Sequence, residues 1–351
     1  MPRRREANEV VSSRSRLSRG TRPSRRPSWN SRCLTMRTPR EDPTIAAAAR
    51  TEQRAALPVP PRARLRSSVR LDELRRRLDE LYLHYDHRFV DPDPLQLVRA
   101  QDADEDREVV GVIASALAYG NVLQIKRSIT AVLAVLGDRP ARAVRRLDPR
   151  AAAKSLQRFR HRFNDGRDVA CLLFFVRQML EREGSVEGFF ARGLEAGAAD
   201  VGPGLVSFSG RALALDHGGL YGRRGLPAGA GVRFFFPSPS DGSACKRLNL
   251  YLRWMARRDG VDLGIWRAVD PSGLVIPLDA HIYAIARRVR LTRYRSPGWP
   301  MAVDITRRLR LLDPADPVKY DFAFHRMGLF KKTEQIRSLI CYSTGASKTT
   351  E

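Results

Sequence analysis

Cysteine is scarce in this chain and nowhere closely paired. Cys33, Cys171, Cys245 and Cys341 contain no C-x-x-C spacing, which excludes a zinc ribbon, the usual iron–sulfur motifs and a disulfide framework. The six histidines show neither H-x-x-x-H nor H-E-x-x-H spacing, so no metal and no other cofactor is expected. The longest apolar run, Val169–Val176, is far below the ~20 residues that a bilayer span requires. No apolar stretch follows the basic residues after Met1, so the chain does not read as secreted. A cytoplasmic protein without a membrane partner is expected. No run alternates polar and apolar residues at period two, which leaves little room for sheet. Lysine is rare as well: seven residues stand against 56 arginines.

What the chain has in excess is positive charge. The net charge is +25 over 351 residues, and a polyanion is the default partner for such a balance. The excess is uneven, because residues 1–66 hold 17 Arg against five acids (+12), leaving +13 for the rest. That first segment is rich in Arg, Ser and Pro and predicts a disordered basic arm. It has two readings: an arm that adds affinity for nucleic acid, or a solvated extension from a start placed too early.

Helical periodicity begins near Leu71, with Leu74, Leu78, Leu81 and Tyr85 on one face as far as His87. The acidic turn Asp102–Arg107 introduces Val109–Leu117, apolar enough to predict a helix buried on all sides. That helix ends at Tyr119-Gly-Asn121, where Gly120 suits a positive φ and leaves Tyr119 and Asn121 at an exposed corner. Helices are further predicted over Val122–Leu136, from a cap at Asp168 to about Glu183, over Leu205–Leu215 and over Trp299–Leu312. Asp316 before Pro317 predicts a helix over Pro317–Met327. Residues 197–237 are Gly-rich and read as a junction or long loop. The domain is expected to be all-α, spanning 67–335, with a loose tail over 336–351.

The stretch from Pro237 to Arg290 carries the chemistry. A turn-rich segment runs through Gly242 into Lys246, followed by Leu248, Tyr251, Leu252 and Met255 at helical spacing. Further on, Asp279 occupies an N-cap position ahead of Ile282, Ile285, Ala286 and Val289. A lysine and a carboxylate thus stand at two helix starts, where backbone N–H groups and the positive end of the dipole point outward. Arg287 and Arg288 fit phosphate contacts or a solvated face. Phe234, Phe235, Phe236 and Trp254 fit core packing or stacking on a base. Cys245 fits a small packed residue.

Across 71–330 the chain resembles an uncharacterised bacterial family, through Ala118-Tyr-Gly-Asn121, Gly242-Ser-Ala-Cys-Lys-Arg-Leu-Asn249 and Leu252-Arg-Trp-Met255. More distantly it resembles the helix-hairpin-helix DNA glycosylase superfamily of endonuclease III and the archaeal 8-oxoguanine glycosylases. Gly242-x-x-x-Lys246 is similar to that superfamily's hairpin and nucleophilic lysine, with Ala244 in place of the second glycine. Pro277-Leu-Asp279-Ala-His281-Ile282 is similar to the segment holding its catalytic aspartate, with Ala280 in place of threonine. The resemblance implies a two-lobed fold, catalysis by Lys246 and Asp279, and DNA contacts from Tyr119, Asn121, Gly242, Arg247 and His281. The implied partner is double-stranded DNA bound by a monomer, and the implied activity is base-lesion recognition with N-glycosidic cleavage. Nicking at the resulting abasic site through a lysine Schiff base can follow. A noncatalytic nucleic-acid-binding protein on the same scaffold is the alternative.

An ordinary lysine is neutral in only about one molecule in 2,500 at pH 7. The helix N-terminus, Arg247 and partial burial all act to lower that barrier at Lys246. Arginine cannot form a Schiff base, so a lysine kept in so arginine-rich a chain draws attention to itself.

Overall fold

The structure is a computed structural model that describes residues 61–222 and 224–329, with side chains over 71–222 and 224–328. Most of the expected basic arm and the tail from Lys331 lie outside the described residues. The described residues all belong to one compact unit, Val59–Glu351.

The elements are α1 (Pro61–His84), α2 (Leu95–Arg99), α3 (Asp104–Ala116), α4 (Val122–Leu136) and α5 (Pro140–Arg145). They continue with α6 (Pro149–Ser155), α7 (Gly166–Glu183), α8 (Val186–Ala191) and α9 (Gly202–Leu213). After a stretch of turns come α10 (Lys246–Ala256), α11 (Ala280–Arg288), α12 (Trp299–Arg310) and α13 (Asp321–Leu329). The sheet content among the described residues is a two-stranded hairpin, β1 (Arg160–His161) and β2 (Asn164–Asp165), with Arg160 opposite Asp165. The fold is mostly helical, and no helix among the described residues is long and apolar enough to cross a membrane.

Helix α3 sits at the centre, with every residue from Val109 to Ala116 buried. Its one glycine lets α10 come close. A Cβ on Gly111 would meet Met255 and Tyr251 side-chain carbons at 2.9 Å, nearer than packed side chains allow. Acidic residues Asp104, Glu105 and Asp106 open α3, where they complement the helix dipole. At its far end Gly120, at φ +100°, turns the chain in a way that suits glycine. Asn121 then caps α4, accepting from Leu123 N at 2.9 Å.

Three sequence expectations shift. The arm was expected to reach residue 66, but α1 begins at Pro61. Helix α7 is capped by Asp165, while Asp168 returns a bond to the Asp165 N–H at 3.0 Å and completes a capping box. Helix α13 starts at Asp321 and not at Pro317. Asp316 turns its carboxylate to Arg257 Nε at 2.8 Å and caps nothing.

That last contact belongs to a buried ionic cluster under the C-terminal helices. Arg253 pairs with Asp262 and Asp321, and Arg257 with Asp259, Asp262 and Asp316. Arg253, Asp262 and Asp321 are almost wholly buried, at 3, 2 and 3 % exposure. Removing one partner from such a group leaves an uncompensated buried charge, which costs several kcal/mol. Arg253→Met should therefore lower the unfolding free energy by about 3 kcal/mol in denaturant titration. Adding Asp321→Leu, which removes the stranded carboxylate, should recover most of that loss.

Candidate functional site

The N-terminus of α10 is laid against the C-terminal end of α3. Cys245, in the left-handed region at φ +48°, reverses the chain just before α10, and its thiol faces the carbonyls of Pro237 and Ser243. Burial pushes that thiol up to about 12, so it stays protonated and behaves as a packed residue. The segment leading into Lys246 consists of 3-10 turns, Gly231–Phe235 and Pro239–Asp241, with Gly242 at φ +74°. No α-helix stands immediately before it.

Two cations from the first turn of α10 use the α3 terminus. Lys246 Nζ donates to Ala118 O at 3.0 Å, and Arg247 Nη1 donates to Ala116 O at 3.0 Å. Arg247 also donates to Phe234 O and places its guanidinium 3.6 Å from the Phe234 ring centre. It is buried, so these contacts occupy it structurally. The carbonyl end of a helix favours cations, yet the ammonium of Lys246 is disfavoured overall. Burial lowers its pKa, and Asp279, Asp93 and Asp321 pull the other way. Burial is the larger effect; Arg247, which the sequence argument placed beside the helix N-terminus as a cause, contributes least among the named causes. No carboxylate among the described residues lies within ion-pair distance of Nζ.

Asp279 arrives from a different direction. The extended segment before it is pinned by Ile276 N on Thr306 Oγ1 at 3.0 Å. As the N-cap of α11, Asp279 accepts from Ile282 N at 2.8 Å through Oδ1. Its Oδ2 faces His325 Nδ1 at 2.9 Å, from α13. Burial works against this charge, but His325, the Ile282 N–H and Lys246 outweigh it and hold the carboxyl at about 2. It is ionised across the physiological range.

Lys246 and Asp279 line one cavity of about 500 Å³, together with Tyr119, Asn121, His281 and His325. Arg253, Asp321, Asp93 and Arg326 complete its polar wall. Burial raises Asp321 to about 6 against the pull of Arg253. His281 stands edge-on to His325 with ring centres 5.3 Å apart. Gly242, Arg247, Arg287 and Arg288 do not line the cavity. Gly242 carries the backbone bond from Trp299 N at 3.3 Å. Arg287 and Arg288 are exposed further along α11. Among the described residues no group of three or more His, Cys, Asp or Glu side chains is arranged to hold a metal ion.

Tyr119 is half-buried, unlike the exposed corner residue expected. Its hydroxyl donates to Asn164 Oδ1 at 2.5 Å and lies 3.1 Å from His161 O. Burial raises its pKa to about 12. Trp254, Phe235 and Phe236 are core residues, whereas Phe234 keeps 37 % of its surface exposed. Sequence reasoning did not single out His325, Arg253 or Asp321. A signal for the first was present: His325-Arg326 interrupts the otherwise apolar run from Phe322 to Met327.

The family described as "Protein of unknown function (DUF2400)" matches residues 93–330, most of the chain, and the protein belongs to it. Neither the curated proteins nor the solved structures contain a significant match.

The cap at Asp279 can be tested apart from any chemistry. Asp279→Ala should cost about 1 kcal/mol of stability, and Asp279→Asn clearly less, because asparagine caps nearly as well. Denaturant unfolding of the three proteins measures both.

Proposed function

We propose that this member of a family without an assigned activity recognises a damaged or displaced base in DNA and cleaves its N-glycosidic bond. The observation that carries the reading is the pairing of two functional groups in one cavity. Lys246 offers an amine whose charge burial disfavours, and Asp279 offers a carboxylate that stays ionised. Both face the same space without forming an ion pair. The resemblance to the helix-hairpin-helix glycosylases assigns the same two roles to these positions.

In the proposed reaction the neutral Lys246 amine attacks the sugar C1′. The C1′–N bond breaks and its electron pair leaves with the base, which takes up a proton. Positive charge at C1′ builds up opposite Asp279, whose carboxylate stabilises it more than it stabilises the neutral substrate. Loss of a proton from the attached nitrogen and opening of the sugar ring give the Schiff base. Loss of a C2′ proton to solvent then forms a C2′–C3′ double bond, expels the phosphate from C3′ and nicks the strand.

The outer surface supports a polyanionic substrate. Arg287, Arg288, Arg290, Arg293 and Arg295 are all exposed, and none forms an ion pair among the described residues. They lie on the last turn of α11 and the loop behind it, with Asp279 at the other end of that helix.

A second reading has its own observation. The Lys246–Ala118 bond also suits a structural anchor, as in a protein that binds nucleic acid without cutting it. Borohydride trapping separates the two. Wild type should give a covalent adduct on duplex DNA carrying an abasic site or the right lesion. Lys246→Arg should abolish trapping while duplex affinity stays near wild type, because arginine keeps the charge but has no neutral amine. A Lys246→Arg protein that still traps would place the nucleophile elsewhere. Absence of both trapping and base release in wild type would favour the binder.

The pH dependence has a definite sign. Only the neutral amine reacts, so adduct formation should rise with pH. The midpoint should fall below the ordinary lysine value of 10.5, because burial lowers it. Asp279 should impose no second inflection above pH 4, since it is already ionised there. A rate that falls as pH rises from 6 to 10 would remove Lys246 as the nucleophile.

A further inference from the structure

The β1–β2 hairpin presents an unusual residue beside the cavity. Its two-residue tip is Arg162-Phe163, and Phe163 leaves 60 % of its surface exposed. With Phe234, 37 % exposed and in ring contact with it, it forms a contiguous exposed aromatic patch, the kind of surface that marks an interaction site, and its backbone is pinned on both sides. Both flanking residues are wholly buried. His161 bonds Ser128 Oγ at 2.8 Å and Tyr119 O at 3.0 Å. Asn164 donates to Asp168 Oδ2 and Gly231 O, each at 2.9 Å, and accepts from the Tyr119 hydroxyl. The tip therefore has little freedom to fold its ring away.

Phe163 is also backed by other rings. It stacks on Tyr119 at 5.3 Å with an interplanar angle of 27°. It meets Phe234 edge-on at 4.5 Å. Tyr119 lines the Lys246–Asp279 cavity, so the stack leads from solvent to the rim of that cavity. Arg162 lies over Gly120, where a Cβ would meet its Cδ at 3.1 Å. Arg162 is exposed, takes the left-handed conformation at φ +55°, and has no ion pair among the described residues. Arg160 and Arg167, by contrast, lie near the Asp165 carboxylate at 3.6 and 3.8 Å.

We infer that Phe163 and Arg162 form a stacking platform for an unpaired nucleobase at the mouth of the Lys246–Asp279 cavity. The exposed ring face takes the base, and Arg162 meets the neighbouring phosphate. Stacking of this kind tolerates any base because every base has a π-face, and the free cation favours a polyanion over an apolar protein surface. A fully paired duplex keeps its bases stacked on one another and gives the platform nothing to hold. This inference rests on the nucleic-acid reading of the same cavity and adds the conformation of the substrate that it takes.

The test uses two fluorescent duplexes, one with a single unpaired 2-aminopurine and one fully paired. Wild type should bind the first more tightly and quench its fluorescence. Phe163→Ala should weaken that binding roughly ten-fold and abolish the quench, leaving affinity for the paired duplex unchanged. Phe163→Trp should restore both. Unfolding curves control for folding, which an exposed site should leave intact. Unchanged binding by Phe163→Ala, equal losses on both duplexes, or no binding of either by wild type would overturn the platform. The two proposals fail separately. Aromatic-dependent quenching without any trapping or base release would remove the chemistry and keep the platform. Normal trapping by a Phe163→Ala protein with unchanged binding would do the reverse.

Discussion

The contact between the start of α10 and the end of α3 fixes almost everything near the cavity. Ala116 O and Ala118 O have no helical continuation, because the chain turns away at Gly120, and carbonyls at a helix end need donors. Lys246 and Arg247 supply them. The same two bonds carry both side chains out of solvent. The close packing at Gly111 holds the helices near enough for short contacts. A helix terminus that would otherwise be left unsatisfied therefore determines where the amine sits and how dry its surroundings are.

Asp279 is held by an independent set of elements, and that separation matters chemically. A carboxylate in direct contact with the amine would stabilise the ammonium and leave a spent ion pair. Here the carboxylate is occupied by the Ile282 N–H and His325, and the amine by a backbone carbonyl. Each charge-bearing group is satisfied by something other than its counterpart. In the proposed reaction this cavity holds the atom whose charge changes, which is where electrostatic stabilisation is most effective.

Much of the helical skeleton was legible in the sequence, because its ends carry local signals. Helix α4 lies between Asn121 and Gly137 and has the predicted bounds. The Asp279 cap and the buried run of α3 are equally local. Where a second local signal stood close by, the sequence reading missed it. It placed the α7 cap at Asp168, whereas Asp165 is the cap and Asp168 completes the capping box three residues on. Asp316 before Pro317 satisfies the rule for a helix start, but Arg257, 59 positions away, takes its carboxylate. Long-range ion pairs of this kind leave no periodic trace. The same limit explains why Lys246 and Asp279 were identifiable from their helix starts while Arg253, Asp321 and His325 were not.

His325 shows what the cavity gains from those distant residues. It lies 46 positions from Asp279 in the chain, yet its Nδ1 is 2.9 Å from the carboxylate. The approach depends on α13 lying close to α11. A Cβ on Gly328 would meet the His281 side chain at 2.6 Å, so a larger residue there would push the two helices apart. Gly328 thereby sets the spacing at which His325 reaches Asp279, and His325 in turn fixes the orientation of the carboxylate and outweighs part of its burial cost. The charge that faces Lys246 thus depends on a glycine with no chemistry of its own. The cavity is built from helix ends, and close helix packing is what brings those ends together.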